Sequence, residues 1–252
     1  MIQGLYSAAT GMVAIERRHD VLANNVANAA TPGYKRQEPV NMGFYQLFSD
    51  KLRHPAYYRQ DVAPGGGVKM METFPNLSAG QFYHTDDPLH VALQGPGFLV
   101  ADTPNGPRYT RSGDLSIDGD GDLATRSGFK IQGVGGGAIP VGDGRVNIGL
   151  DGGVLVNGQP AGQLRLVEFE NPERLLREGD SLYRASEEVA GQLATAGETF
   201  IQHKRLEMSN VNLPMEMGRM VIGMRAYEAN QRVITTIDST LGRLIDQVAV
   251  PR

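Results

Sequence analysis

The chain contains no cysteine. A zinc-thiolate site, a thiol nucleophile and a disulfide framework are therefore excluded. Tryptophan is also absent, and aromatic residues make up only 7% of the sequence. No apolar run approaches the roughly 20 residues that a membrane-spanning helix needs, so no direct membrane insertion is expected. The N-terminus lacks a basic region followed by a continuous apolar stretch, because Glu16, Arg17 and Arg18 interrupt it. No cleaved secretory signal of that type is expected, and export would need another route. Lysine and arginine never occur more than two in a row, and the net charge is −4. Nucleic acid is thus a poor candidate partner. What remains is 252 residues, 40% hydrophobic and 21% charged, an ordinary balance for a folded protein.

The two ends carry apolar residues at alternating steps of three and four. At the N-terminus these are Ile2, Leu5, Ala9 and Met12, continuing through polar Glu16 and His19 to Leu22, Val26 and Ala29. At the C-terminus they are Met217, Met220, Met224 and Tyr227, then Gln231, Ile234, Asp238, Leu241, Ile245 and Val248. Such narrow seams suit helices that pack on other helices, with polar positions setting register. The alternative is ordinary packing of both helices on a globular core. The first helix should span residues 2–30 and stop at Thr31-Pro32-Gly33. Asn24, Asn25 and Asn28 lower helix propensity near its end. They read either as a fraying C-terminus or as amides that bond to neighbouring chains. Asn212 is the expected N-cap of the last helix, with Pro214 in its first turn, and that helix should run to about Gln247. Gly218, Gly223 and Gly242 lie inside it and either admit close helix approach or weaken it.

The middle differs in kind. The sequence holds 32 glycines, most of them between positions 65 and 162. Short runs of β-formers include Leu89–Leu93, Phe98–Ala101, Tyr109–Arg111, Leu115–Ile117, Phe129–Ile131, Val146–Ile148, Val154–Val156 and Leu164–Phe169. Asn105-Gly106, Asp120-Gly121, Ser127-Gly128, Asp143-Gly144, Asp151-Gly152 and Asn157-Gly158 punctuate them. Such pairs supply the positive φ of tight hairpins, so a sandwich or barrel-like module is expected. The resulting class is α+β. Terminal helices form a coiled-coil-like domain (1–33 and 201–252), an extended arm covers 34–75, and a central all-β domain covers 76–200.

Candidate chemistry is sparse. Asp118-Gly119-Asp120-Gly121-Asp122 resembles the start of a calcium loop, but Leu123 and Phe129 stand where an EF-hand needs Gly and Glu. A hairpin with solvated carboxylates is the better reading. Gly133-Val134-Gly135-Gly136-Gly137-Ala138 matches a dinucleotide fingerprint in form, but Ile139-Pro140 cannot open the helix that would receive the pyrophosphate. His84 and His90 flank Asp86 and Asp87 at no recognised ligand spacing. No cofactor, metal site or catalytic group is expected.

Three blocks of residues carry a resemblance. Leu5-Tyr6-x-Ala8-x-x-Gly11-Met12 is followed by Ala23-Asn24-Asn25-Val26-Ala27-Asn28-x-x-Thr31-x-Gly33-Tyr34-Lys35. Centrally there are Pro88-Leu89-His90-Val91-Ala92-Leu93-Gln94-Gly95-x-Gly97-Phe98 and Tyr109-Thr110-Arg111-x-Gly113. At the C-terminus come Leu206-Glu207-x-Ser209-Asn210-Val211-Asn212, Glu216-Met217, Arg225-Ala226-Tyr227-Glu228-Ala229-Asn230 and Ile234-x-x-x-Asp238. Together they resemble the rod and hook family of bacterial flagellar axial proteins, over nearly the whole chain and in the expected order.

The resemblance implies a structural subunit and not an enzyme. Such subunits are exported through the flagellar type III apparatus and stack into a hollow, periplasm-spanning tube, with terminal helices inside and the β domain outside. Implied partners are copies of the chain, other rod or hook proteins, the export apparatus and surrounding ring proteins. Leu5, Ala9, Met12, Leu22, Asn24, Asn25, Val26 and Asn28 become one assembly surface. Met217, Met220, Met224, Arg225, Tyr227, Glu228, Asn230, Ile234, Leu241 and Ile245 become the other. The length suits rod members, and the arm starting Tyr34-Lys35-Arg36-Gln37 favours the distal over the proximal type. His203-Lys204-Arg205 departs from a usual Gln-Gly pair, and Pro214 is unusual where it stands. The readings of other classes are a secreted β-rich enzyme and a binding module with helical dimerisation ends. Within one free subunit the two helices offer each other only one face, so the ends are expected to be largely disordered in the monomer and to fold on joining the tube.

Overall fold

Proline is missing from residues 2–31, and a single α-helix, α1 (Ile2–Ala27), forms there. It ends three residues before the expected stop. Asn28 begins a turn instead, with the Thr31 amide donating to the Asn28 carbonyl at 3.1 Å and the Thr31 hydroxyl to Asn28 Oδ1 at 3.2 Å. The last helix, α2 (Leu213–Val248), begins as expected. The Met215 amide donates to Asn212 Oδ1 at 3.1 Å, so Asn212 is the N-cap and Pro214 sits harmlessly in the first turn. The computed structural model describes residues 2–43, 67–185, 193–195 and 199–248.

The chain divides into two units, each with its own contacts. The helical unit comprises residues 1–27, 37–74 and 212–252. Besides α1 and α2 it contains β1 (Gln37–Gly43) and β2 (Val68–Pro75), which pair as a two-stranded ladder. The described ends of the arm are therefore strands, and its middle lies outside the described residues. The β unit comprises residues 28–36 and 75–211. The segment that leaves α1 thus belongs with the strands, and not with the helix as the sequence boundaries placed it.

The β unit is built from antiparallel pairs throughout. Its centre is β5 (Phe98–Thr103), which pairs with β6 (Gly106–Thr110), β9 (Lys130–Ile131) and β13 (Leu166–Phe169). Alternation along β5 explains its unbroken apolar run. Leu99 and Ala101 enter an aliphatic core with Leu93, Leu123, Ile131 and Ile201. Phe98 and Val100 enter a second core with Tyr109, Phe169 and Tyr183. Both faces of the strand are covered, so period two produces two cores and no polar face. The second core is aromatic and edge-to-face, with ring centroids 4.8 to 5.9 Å apart.

The turn chemistry reads through at five of the six pairs; in the Asp143-Gly144 turn the positive φ falls on Gly142 and not on Gly144. Gly106, Gly121, Gly128 and Gly152 have positive φ, and Asn157-Gly158 takes φ of 50° and 82° between β11 (Gly153–Val156) and β12 (Gln159–Gln163). That is the geometry of a two-residue hairpin. β12 contains Pro160, which hid it from propensity; it lies at the end of the three-stranded sheet with β10 (Val146–Ile148), where a missing donor is tolerated. Gly133–Ala138 forms a tight loop closed by a Gln132–Ala138 bridge, with no helix following.

Candidate assembly surfaces

In the helical unit, α1 and α2 run antiparallel. A Cβ placed on Gly4 would lie 3.7 Å from Ile237 Cδ1, one on Gly11 would lie 3.3 Å from Asn230 Nδ2, and one on Gly223 would lie 3.9 Å from Ile15 Cγ2. Asn25 Nδ2 donates to Glu216 Oε2 at 3.3 Å. Low numbers meet high ones throughout. A side chain at Gly223 would thus make only ordinary contact with α1, and Gly218 and Gly242 meet nothing, so none of the three glycines is required by close helix approach.

Only part of the expected seam faces the partner helix. Along α1, Ala8 and Leu22 are buried and Ile15, His19 and Val26 partly so. Leu5, Ala9 and Met12 are also half-buried, and Asn24 is exposed. Along α2 the covered line is Glu216, Met220, Gly223, Asn230, Ile234, Ile237 and Leu241. Met217, Met224, Tyr227 and Ile245, at 52%, 55%, 40% and 65% exposed, lie beside it, and Arg225 and Glu228 are exposed too. The covered line keeps the seven-residue period, since Glu216, Gly223, Asn230 and Ile237 repeat by sevens, as do Met220, Ile234 and Leu241 by multiples of seven. It shares Met220, Ile234 and Leu241 with the expected stripe and is turned to one side of Met217, Met224 and Ile245. Further apolar side chains stand clear of the helical pair, among them Met215, Val221, Ile222 and Val233 at 51%, 51%, 69% and 45% exposure.

Asn25 is fully buried and acts within the chain. Its amide donates to the Gln37 carbonyl at 2.9 Å and its oxygen accepts the Gln37 amide at 2.9 Å, copying a strand ladder. With the bond to Glu216 this clips helix α1, strand β1 and helix α2 together. Glu216 is itself fully buried and accepts from Arg219 at 2.9 Å. Val68 is tied in by its amide, which donates to Thr10 Oγ1 at 3.3 Å.

In the β unit, motif residues from both chain ends build a buried clasp. Lys35 Nζ donates to Glu207 Oε1 at 2.5 Å and to the Ser78 carbonyl at 2.9 Å, with the lysine and glutamate side chains 0% and 1% exposed. The Gly80 amide also donates to Glu207 Oε1 at 2.9 Å. Gly33, with φ of 68°, donates to the Glu207 carbonyl at 2.7 Å, and the Arg36 amide donates to Asn210 Oδ1 at 2.7 Å. Arg111 lies 3.8 Å from Glu207 Oε2, near enough for attraction but not for a hydrogen bond. It also donates to the Gly95 carbonyl at 2.6 Å and stacks over Phe98. Burial holds the Lys35 ammonium below the ordinary lysine pKa, against the charge and hydrogen bond of Glu207. Gly113 completes the motif: a Cβ there would sit 1.7 Å from the Val91 carbonyl oxygen. These residues are recognisable in sequence, but that they meet in one place is not.

Elsewhere, Asp118, Asp120 and Asp122 bring their carboxylates together, and Lys130 Nζ sits among them at 2.6 to 3.4 Å. Asp118 Oδ1 accepts the Asp120 and Asp122 amides, which holds its pKa down. The loop is thus a hairpin whose three carboxylates gather around one lysine, which offsets one of their three charges. His90 contacts Thr85, Asp87 and Asp114. Lys204 turns between β17 (Phe200–His203) and β18 (Arg205–Glu207) with φ of 56°, a conformation a glycine would adopt without cost.

Three family profiles match the chain. They are Flagella basal body rod protein over residues 5–35, Flagellar hook protein FlgE/F/G D1 domain over 92–156, and Flagellar basal body rod FlgEFG protein C-terminal over 202–247. The flagellar basal-body rod protein FlgG of Bacillus subtilis is 30% identical over 266 aligned positions, covering 98% of this chain and 99% of the relative. This chain belongs to the flagellar basal-body rod protein family. FlgG of Caulobacter vibrioides is 33% identical, with 95% of this chain and 97% of the relative covered. FlgF of Rhizobium meliloti is 28% identical, with both chains fully covered. The rod-family chain is therefore a structural subunit of the flagellar basal body. Among the described residues no helix is long and apolar enough to cross a membrane.

Proposed function

We propose that the chain polymerises through its terminal helices, with copies of itself and with other rod or hook proteins, into a hollow shaft. The observation that carries this is the state of α2. Met215, Val221, Ile222 and Val233 are each about half exposed or more, although α1 already covers the opposite side of the helix. Apolar surface of this kind marks an interaction face. In this reading α1 and α2 form one antiparallel pair, and neighbouring subunits complete a coiled-coil-like seam using Leu5, Ala9, Met217, Met224, Tyr227 and Ile245. The pair orders fully only when those neighbours arrive, and the β unit folds first because its strands are contiguous and its two cores are closed.

The subunit does its work by packing and not by catalysis. It travels through the flagellar type III apparatus and meets ring proteins around the finished rod. The distal rod is the position favoured by the arm that begins at Tyr34. Purified chain examined by electron microscopy and circular dichroism over rising concentration tests the central statement. Straight hollow tubes and a gain in helicity are expected. Discrete dimers that persist at high concentration would support the binding-module alternative instead.

A further inference from the structure

The helical pair carries two unlike surfaces whose charges match each other. The first is an open groove of about 340 Å³ between α1 and α2. Ile15, Met224 and Tyr227 give it an apolar floor, and the exposed carboxylates of Glu16, Asp20 and Glu228 rim it. Glu16 and Asp20 are one turn apart on α1, while Glu228 comes from α2, so acid stands on both walls. The second surface is the outer ridge of α2. Arg225, Arg232 and Arg243 stand at i, i+7 and i+18, which returns to nearly the same direction at 100° per residue. That direction is about half a turn from the covered line through Gly223, Asn230, Ile234 and Leu241. All three arginines are exposed. Val221, Ile222 and Val233 flank the ridge with exposed apolar surface. None of these six charges is held in an ion pair among the described residues.

We propose that the acidic groove is the socket for the arginine ridge of a second copy of this chain. This rests on the rod-assembly reading and names the contact that would drive it. A guanidinium on a long apolar stem suits a groove with an apolar floor and carboxylates at the rim. The socket and the ridge are adjoining patches of one molecule, because Glu228 lies one turn from both Arg225 and Arg232 on α2. Their union is heterologous, and a heterologous contact that does not close on itself propagates into an open helical filament. The closed alternative is a two-fold dimer in which each groove takes the other's ridge, and sedimentation of the parent chain separates it from an open filament. The exposed rim also makes the contact sensitive to salt.

The test uses full-length chains with neutralised charges, which leaves exposed helix positions otherwise undisturbed. One variant carries Glu16→Gln, Asp20→Asn and Glu228→Gln. The other carries Arg225→Gln, Arg232→Gln and Arg243→Gln. Each alone should raise the concentration needed for polymerisation by about tenfold or more at low ionic strength, with unchanged circular dichroism. Mixed together they retain one matched contact, the second variant's groove with the first variant's ridge. Sedimentation velocity should then show a discrete 1:1 complex that added salt dissolves. If the variants polymerise as readily as the parent, or if the parent polymerises and the mixture forms no complex, the groove is not the socket. A 1:1 complex from chains whose parent never forms tubes would uphold the socket and overturn the tube. Parent chains that stay monomeric and variants that never pair would overturn both, and direct attention to a basic helix of another protein as occupant.

Discussion

The two units solve the problem of burying apolar surface in opposite ways. In the β unit a single strand, β5, feeds two closed cores, and Phe98, Leu99, Val100 and Ala101 are all essentially inaccessible. In the helical unit Met215, Ile222, Met224 and Ile245 remain more than half exposed on a helix of 36 residues. The first pattern is that of a domain complete in itself. The second is that of a domain whose remaining partners lie in other molecules. Buried polar groups occur in both units, since Glu216 and Asn25 are fully covered in the helical pair. The β unit buries a charged clasp around Glu207, where a fault is costly; the charges of the groove and the α2 ridge stay in solvent, where they can be exchanged between partners.

The sharpest way to break this contrast is to open the clasp. Glu207→Gln leaves the buried Lys35 and Arg111 cations without a counter-charge, and should cost about 3–5 kcal/mol in denaturant unfolding. Adding Lys35→Met should recover part of that loss. An unaltered unfolding midpoint would mean that the clasp is not buried in solution.

Alkaline titration probes the aromatic core of the same unit. Burial pushes the Tyr183 phenol up to about 12, above its ordinary value of 10.0. The folded state therefore holds this proton more tightly than the unfolded chain does. The associated stability is present below pH 10 and is lost as pH rises toward 12, amounting to about 2–3 kcal/mol. Tyr183→Phe should remove that dependence, and stability curves measured between pH 9 and 12 would reveal it.

On the helical side, Asn25→Ala removes three hydrogen bonds made by one buried amide. It should destabilise the pairing of α1 with β1 and α2 by about 1–3 kcal/mol, read as faster amide exchange in those elements while the β unit stays protected. The smallest stability effect is expected at Ile222→Ser. At 69% exposure the change should move monomer stability by no more than about 0.5 kcal/mol. The same substitution should nevertheless weaken polymerisation measured by light scattering. A large loss of monomer stability there would show that Ile222 packs within its own chain and would erase the contrast.

Legibility differed between the units for physical reasons. Strands with apolar residues on both faces, such as Phe98–Ala101, announce themselves as continuous runs. Asn157-Gly158 signals its hairpin because only that chemistry accepts two positive φ angles cheaply. β12 was hidden by Pro160, and β14 (Leu176–Gly179), with its exposed Leu176, by the lack of a buried stripe. The periodic stripes found both helices and the seven-residue period of the contact line on α2, but that line takes in Glu216, Gly223 and Asn230, whose polar or missing side chains an apolar pattern does not pick out. Asn25 read equally well as a group reaching for neighbouring chains, since an amide copies a ladder only where a strand happens to lie beside it.

Sequence alone determined the class of each segment, the caps and turns that bound them, and the family, because propensity, turn chemistry and motif order are local or linear properties. Tertiary structure alone decided which sides of the helices are spent on each other and which remain open. It alone also brought Lys35, Arg111 and Glu207 into one buried cluster. Both outcomes depend on side chains distant in the chain competing for the same space and the same partners, and a linear pattern carries no record of that competition.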